Sequence, residues 1–392
     1  MYCRFCGKKG IHSILNLGHQ PFSNSFLTKE QLNEPETYYP LELVVCDSCW
    51  LVQIKRAPKA SEIFKDDYVY HSSQSPANVS HAKEYTDMIT KRFGFKSVVE
   101  IGSNDGYMLQ HFKEKGINVL GVDPATECAN EAIQKGIPTL IDFFSRSLAR
   151  RAIRADLICG INVLAHQPDI NDFVSGLKYA LNPGGIVTFE FPHLKKMIDG
   201  LQFDTVYHEH YYYFSLMTIM AIFERHLLEV FDVDEIPEHG GSLRIYARHK
   251  GGGSRSDRVA KVLKDEEPMR SVDYYADFQR KVNKIYYDFV NHAYASNLIA
   301  YGAAAKANTF INYCRLDSKL LPFVVDRSPF KQGKFLPGSH IPVFDEEMIK
   351  RVKPEYVLIT AWNLKEEIMK QLSYIRSWNG KFVVAIPRLE IL

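Results

Sequence analysis

Ser97-Val98-Val99-Glu100-Ile101-Gly102-Ser103-Asn104-Asp105-Gly106 is the stretch that decides the fold. Residues 97–100 read as a short strand, the glycines as a tight turn, and 107–115 as a helix leaving it. The same alternation continues outward. Residues 118–123 read as a second strand and 126–135 as a second helix; 138–141, 155–161 and 185–191 read as further strands. The last is entered through the turn Asn182-Pro183-Gly184-Gly185. Strands alternating with helices predict an α/β fold built on a parallel, doubly wound sheet of Rossmann type.

In such a sheet the turn after the first strand meets a ligand, because glycines let it approach the backbone closely. A dinucleotide turn would read Gly-x-Gly-x-x-Gly with a pyrophosphate on the helix N-terminus. Gly102, Asn104 and Gly106 do not make that pattern. Glu100 and Asp105 would repel a pyrophosphate and suit a cationic ligand without phosphate, which describes S-adenosylmethionine. Asp123, closing the second strand, can accept hydrogen bonds from ribose hydroxyls, or simply cap the turn before Pro124. Asp142 and Phe143, after the third strand, are placed beside the adenine. Asn162, at the end of the fourth, is assigned to the same pocket. The core expected is therefore that of an S-adenosylmethionine-dependent methyltransferase.

Toward the N-terminus stand two Cys-x-x-Cys pairs, Cys3 with Cys6 and Cys46 with Cys49. Two such knuckles complete a tetrahedral thiolate site for zinc, a closed shell that folds a module rather than doing chemistry. A redox motif and four unrelated buried thiols are the rivals. Cys128, Cys159 and Cys314 are scattered and read as buried small hydrophobes. Residues 1–66 are expected to form the metal-stapled module, with little other core. The net charge of +2 advertises no nucleic acid. No apolar run reaches the ~18 residues of a membrane span, and the first residues carry no signal-peptide pattern, so a cytoplasmic protein is expected.

Toward the C-terminus, Gly251-Gly252-Gly253-Ser254 marks a boundary, followed by an amphipathic segment at 272–295. Strands at 298–301, 322–325, 356–360 and 381–386 then predict a second, smaller Rossmann-like sheet. Its first turn, Gly302-Ala303-Ala304-Ala305-Lys306, opens a helix N-terminus suited to an anion. Arg327, Lys331 and Lys334 follow the second strand. Lys306, Arg327 and Lys331 are candidates for a substrate diphosphate; the alternative is a degenerate Rossmann unit used for packing.

The chemistry is expected where Tyr207-His208-Glu209-His210 runs into Tyr211-Tyr212-Tyr213, with His166 after the fourth strand. Tyr207, Glu209 and His210 together are poor core material and read as a catalytic constellation. His208 and His210 with Glu209 are a weaker candidate for a second zinc site. With Tyr68-x-Tyr70-x-Ser72-Ser73 and Glu100-x-Gly102-x-Asn104-Asp105-Gly106, these motifs resemble, end to end, the nucleotide-sugar 3-C-methyltransferases that build C-methyl deoxysugars. The resemblance implies a zinc-binding module (1–66), a methyltransferase domain (67–250) and a C-terminal domain (251–392) completing the sugar-nucleotide site. It implies His210 as the base, with Tyr207, Glu209, His166 and Tyr70 nearby. The substrate implied is a thymidine-diphosphate-linked 4-keto-6-deoxyhexose, methylated at C3. An enolate step suits a histidine base. The rivals are an O- or N-methyltransferase of a small metabolite, which would leave the Tyr-His-Glu-His cluster unexplained, a nicotinamide-dependent sugar oxidoreductase, and a zinc-ribbon nucleic-acid adaptor.

Overall fold

Strand Ser97–Ile101 is buried from Val98 onward, as a strand covered on both faces must be. The structure, a computed structural model, describes residues 1–63, 71–293 and 297–392. Ser97–Ile101 pairs in parallel with Asn118–Val122 on one side and Ala155–Ile161 on the other. Thr139–Leu140 and Leu181–Pro192 extend the sheet outward, also in parallel. Two strands not foreseen from the alternation, Leu228–Ile236 and Ser242–His249, add an antiparallel hairpin to the Leu181–Pro192 edge. The result is a seven-stranded sheet in which Ser242–His249 alone runs against the others. This is a Rossmann-like core. The Asn-Pro-Gly-Gly stretch turns the chain at Gly184 (φ 76°) inside a strand that continues on both sides of it. Pairing jumps from Ala155↔Leu181 to Leu157↔Ile186, so residues 182–185 loop out of a continuing strand.

The N-terminal module has more core than expected. Ile11–Gln20, Tyr39–Cys46 and Val52–Ile54 form an antiparallel sheet that buries Leu15, Leu17, Leu41, Leu43 and Val45. Its fourth strand, Tyr212–Tyr213, comes from the far end of the Tyr207–His210 cluster. The C-terminal sheet has six strands: Val343–Phe344, Val324–Val325, Leu298–Tyr301, Tyr356–Ile359 and Lys381–Val384 in parallel, then Glu390–Ile391 reversed. Helix Ala305–Tyr313 packs against strand Ile11–Gln20 and the turn Phe203–Thr205, so all three regions meet around that turn.

The glycine stretch at 251–253 is exposed, yet helix Asp257–Glu266 beyond it packs back on strand Leu228–Ile236 and helix Leu216–Arg225. Buried Glu266 accepts from the Leu216 and Met217 N–H groups at 2.6 and 2.8 Å and from His193 Nε2 at 2.7 Å. A carboxylate at a helix N-terminus satisfies donors that the helix itself leaves open. Cys128, Cys159 and Cys314 are buried thiols, as expected. Among the described residues, no helix is long and apolar enough to cross a membrane.

Candidate active site

At the carboxyl end of Ser97–Ile101 the chain bends through Gly102 (φ 70°), Asn104 (φ 48°) and Gly106 (φ 79°). Gly102 N–H donates to Val122 O at 2.8 Å, and a Cβ there would sit 3.0 Å from Val163 Cγ2. The glycine is required by both the angle and the space. Asp123 holds the bend: its Oδ2 accepts from Asn104 N and its Oδ1 from Ala125 N, each at 2.8 Å. Ser72 N–H donates to Asn104 Oδ1 at 2.8 Å, which brings the segment after the Tyr-x-Tyr motif onto the loop.

Glu100 and Asp105 are fully buried, and none of their four carboxylate oxygens accepts a hydrogen bond. Lys135 Nζ stands 3.5 Å from Asp105 Oδ2 as an ion pair. Burial, then Asp123 and Asp105, pushes the Glu100 carboxyl well above its usual range; burial likewise raises Asp123. Buried acceptors without donors are costly, and a ligand bringing positive donors relieves that cost. The set of unfilled carboxylate acceptors therefore fits S-adenosylmethionine. Asp142 and Phe143 lie exposed after Thr139–Leu140. Asn162 (φ 56°) donates its N–H to Glu190 O at 2.9 Å, beside the loop.

The Tyr207–His210 segment folds into a turn, with His210 N donating to Tyr207 O at 3.0 Å. His210 Nδ1 lies 3.1 Å from Thr205 O, a pure acceptor, so Nδ1 carries the proton. Nε2 is left as an acceptor and receives the Tyr207 hydroxyl at 2.9 Å. The His166 ring stands 4.9 Å from that of His210, edge on. Burial, with His166 next and then His239 and Lys306, drives His210 well below 6.5 despite the Thr205 bond; burial takes His166 down to about 4. Both rings are neutral near pH 7. The arrangement supplies an unprotonated imidazole of fixed tautomer, paired to a phenol, within a group of cation-forming side chains.

Not every expected residue joins it. The Glu209 carboxylate accepts from Ser23 Oγ at 3.1 Å and Asn24 Nδ2 at 3.1 Å, so it faces the N-terminal module and not the His210 ring. Asn308 of the C-terminal domain holds the Ser23 carbonyl from the other side. These donors lie in a region remote in sequence, and they tie Glu209 to the N-terminal module. His208 is buried between Phe22 and Tyr39, not beside His210. That separates the pair and removes the second zinc site. Tyr70 lies outside the described residues.

Lys306 is held within its own domain: its Nζ donates to Asn363 Oδ1 at 2.7 Å and stands 4.7 Å over the Trp362 ring. Arg327 pairs with Glu346 at 2.9 Å and Lys331 with Asp326 at 3.6 Å, so neither offers an uncompensated charge to a diphosphate. Sequence reading missed Asp204, which accepts from Trp362 Nε1 at 2.8 Å and is raised to about 6 by burial. It also missed His239, whose Nε2 lies 2.9 Å from Asn162 Nδ2. The double glycine after His239 was the available signal.

In the N-terminal module, Cys3 and Cys49 Sγ are 3.6 Å apart, as are Cys6 and Cys46. All four sulfurs lie within 4.8 Å of one another. A zinc–sulfur bond of ~2.3 Å implies tetrahedral sulfur–sulfur edges of ~3.8 Å. The cluster fits that ion.

Comparison with known proteins matches three family models in series: a "Putative zinc binding domain" over residues 3–64, a methyltransferase domain over 77–232, and a C-methyltransferase C-terminal domain over 237–387. The chain is 32% identical to the C-methyltransferase NovU of Streptomyces niveus, over 100% of this chain and 96% of that protein. A ubiquinone biosynthesis O-methyltransferase of Actinobacillus pleuropneumoniae is 28% identical over 24% of this chain and 44% of its own length. Among solved structures, a magnesium protoporphyrin IX methyltransferase from Synechocystis with bound SAM aligns at TM-score 0.33 and 16% identity, over 44% of this chain and 77% of that one.

Proposed function

This chain belongs to the C-methyltransferase family, and we propose that it methylates C3 of a nucleotide-linked 4-keto-6-deoxy sugar, carried on thymidine diphosphate, through an enolate. Its activity is that of a methyltransferase using S-adenosylmethionine, which when bound supplies an electrophilic methyl group. The observation that carries the enolate reading is the Tyr207–His210 pair: Thr205 O fixes the imidazole tautomer, leaving Nε2 an unprotonated acceptor on which the Tyr207 hydroxyl rests. An O- or N-methyltransferase would use such a base on a heteroatom and would form no enolate, so the position of the added methyl group separates the readings.

His210 Nε2 takes the proton from C3, and the Thr205 carbonyl stabilises the imidazolium through Nδ1–H. Tyr207 moves its hydroxyl from Nε2 to the substrate and, with His166, donates toward the developing oxyanion. Glu209, tied to Ser23 and Asn24, positions the turn. Lys306 supplies the main positive charge for the substrate, since Arg327 and Lys331 are paired with Glu346 and Asp326. Glu100, Gly102, Asn104, Asp105, Gly106, Asp123 and Asn162 hold the cofactor, with Asp142 and Phe143 at the adenine end; Cys3, Cys6, Cys46 and Cys49 hold a structural zinc. The test is a panel of nucleotide keto-sugars incubated with enzyme and S-adenosylmethionine. A net gain of one CH₂ on the sugar, located at C3, is expected; methylation on oxygen or nitrogen instead overturns the reading.

Asp123→Asn is expected to weaken S-adenosylmethionine binding. Each lost charge-assisted hydrogen bond costs about 1.5–3 kcal/mol, or ~10–150-fold in Kd. Calorimetry reads it, and unchanged affinity would mean the cofactor lies elsewhere.

The acid limb of kcat/KM is expected below pH 6.5, the ordinary histidine value from which His210 is depressed. A base works only unprotonated, so depression keeps it competent through neutrality and moves the loss to lower pH. An acid limb centred above 6.5 would contradict the assignment.

A further inference from the structure

Between strands Leu228–Ile236 and Ser242–His249 the chain turns through Pro237-Glu238-His239-Gly240-Gly241. Three consecutive residues there have positive φ: His239 at 57°, Gly240 at 87° and Gly241 at 115°. Glycine adopts such angles freely; histidine does so only when its surroundings over-determine it. Here they do. Gly241 N and Ser242 Oγ both donate to Glu238 O, at 3.0 and 2.9 Å. Gln202 Nε2 donates to Gly240 O at 2.9 Å, and His193 N to Gly241 O at 3.0 Å. A Cβ on Gly240 would lie 2.4 Å from the Trp362 ring, so the turn is seated directly against the C-terminal domain.

The outcome of this bracing is the position of one imidazole. His239 Nε2 meets Asn162 Nδ2 at 2.9 Å, at the carboxyl end of strand Ala155–Ile161 where the cofactor loop lies. The ring is solvent-accessible, yet it acts electrostatically on His210 together with His166 and Lys306. It therefore stands within electrostatic reach of these groups. Nε2 accepts from the Asn162 amide, which leaves the proton on Nδ1. Desolvation by the surrounding groups and the Lys306 charge hold the ring below its ordinary value, so it is an uncharged donor at neutral pH.

We propose that His239 is a substrate-contacting catalytic residue whose Nδ1–H hydrogen-bonds the sugar's carbonyl oxygen as that oxygen gains negative charge. The inference rests on the carbon-acid reading above and adds an electrophile to its base. The C3 proton passes to His210 Nε2, the C–H electron pair becomes the enolate double bond, and the carbonyl π pair moves to oxygen. His239 keeps its proton throughout and contributes only the hydrogen bond. When the enolate carbon takes the methyl group, the carbonyl re-forms and that bond weakens again. A donor stronger toward the enolate than toward the ketone lowers the barrier and not merely KM.

His239→Gly keeps the positive φ without strain and deletes the ring; His239→Asn keeps a residue tolerant of that angle with a shorter donor. The full-length enzyme is assayed with a 4-keto-6-deoxy sugar nucleotide, for methylation and for deuterium wash-in at C3 with S-adenosylhomocysteine bound. His239→Gly is expected to lose ~10²–10³-fold in kcat, with wash-in slowed in parallel, KM and cofactor affinity kept, and part of the rate restored by added imidazole. His239→Asn is expected to fall between that variant and wild type. Wild-type wash-in and methylation report on the carbon-acid reading independently, and their absence sinks that reading whatever His239 does. With wild type active, the proposal is overturned by a His239→Gly variant of normal kcat, by an effect on KM alone, or by a loss that tracks weakened cofactor binding and resists imidazole. The last pattern would mean that His239 only braces Asn162.

Discussion

His210→Asn is expected to abolish both methylation and deuterium wash-in while leaving cofactor binding intact. Asparagine approximates the imidazole in size and can still donate to the Thr205 carbonyl that now holds Nδ1 at 3.1 Å. It has no basic nitrogen, so the proton has nowhere to go at neutral pH. General-base catalysis is worth about 10²–10⁴-fold, and the loss should exceed the low end because the site is dry and water is a poor substitute. Cofactor affinity should survive, since His210 makes none of the hydrogen bonds that shape the Gly102–Gly106 bend. Tyr207→Phe removes the hydroxyl at Nε2 but keeps the ring that packs 4.1 Å from the imidazole. It should cost ~10²-fold, as for one lost oxyanion donor. The comparison is decisive in both directions. A dead Tyr207→Phe beside an active His210→Asn would make the phenolate the base and the imidazole its partner. Two active variants would make the cluster structural.

Where the sequence spoke plainly, the signal was local. The Ser97–Gly106 stretch carries strand and turn within a single window, so its geometry follows from neighbouring residues alone. The paired Cys-x-x-Cys knuckles likewise announce their own convergence. What stayed hidden depended on partners far along the chain. Asp232 looks like a surface position in an alternating strand, yet it is buried, because Arg92, Ser256 and Arg258 converge on it. Glu209 sits between two histidines and invites a catalytic role; its donors, Ser23 and Asn24, come from another region of the chain. His208 and His210 are equally suggestive on the page, and only packing separates a ring wedged between Phe22 and Tyr39 from one facing Tyr207. His239 gave one local hint, its double glycine, whose meaning required Trp362 and Asn162 in place. The Leu228–Ile236 strand is a different kind of miss. Its alternation of apolar and charged residues was legible, but it followed the parallel pattern and was passed over.

Removal of the metal from the four-cysteine cluster, by chelation or by Cys46→Ser, is expected to unfold the N-terminal module and silence the enzyme together. Purified protein should carry about one zinc per chain, because four thiolates fill a tetrahedral shell. Such binding is worth about 10–16 kcal/mol in apparent free energy at neutral pH, against about 5–15 kcal/mol for an entire domain. A closed thiolate shell on its own would predict a stability defect with chemistry untouched. The sheet changes that expectation. Val52 and Gln53 pair with Tyr213 and Tyr212, a few residues beyond His210, while Ser23 and Asn24 hold the Glu209 next to it. An unfolded module therefore frees both flanks of His210, and wash-in should fall with methylation. Cofactor affinity should decline far less, since the Glu100–Gly106 loop is built on the central sheet. Metal content, thermal unfolding, calorimetry with S-adenosylhomocysteine and the wash-in rate distinguish the cases. Four freely titratable thiols in a metal-free, fully active protein would dismiss the zinc. A destabilised protein with normal wash-in would keep the zinc but break its link to the His210 turn.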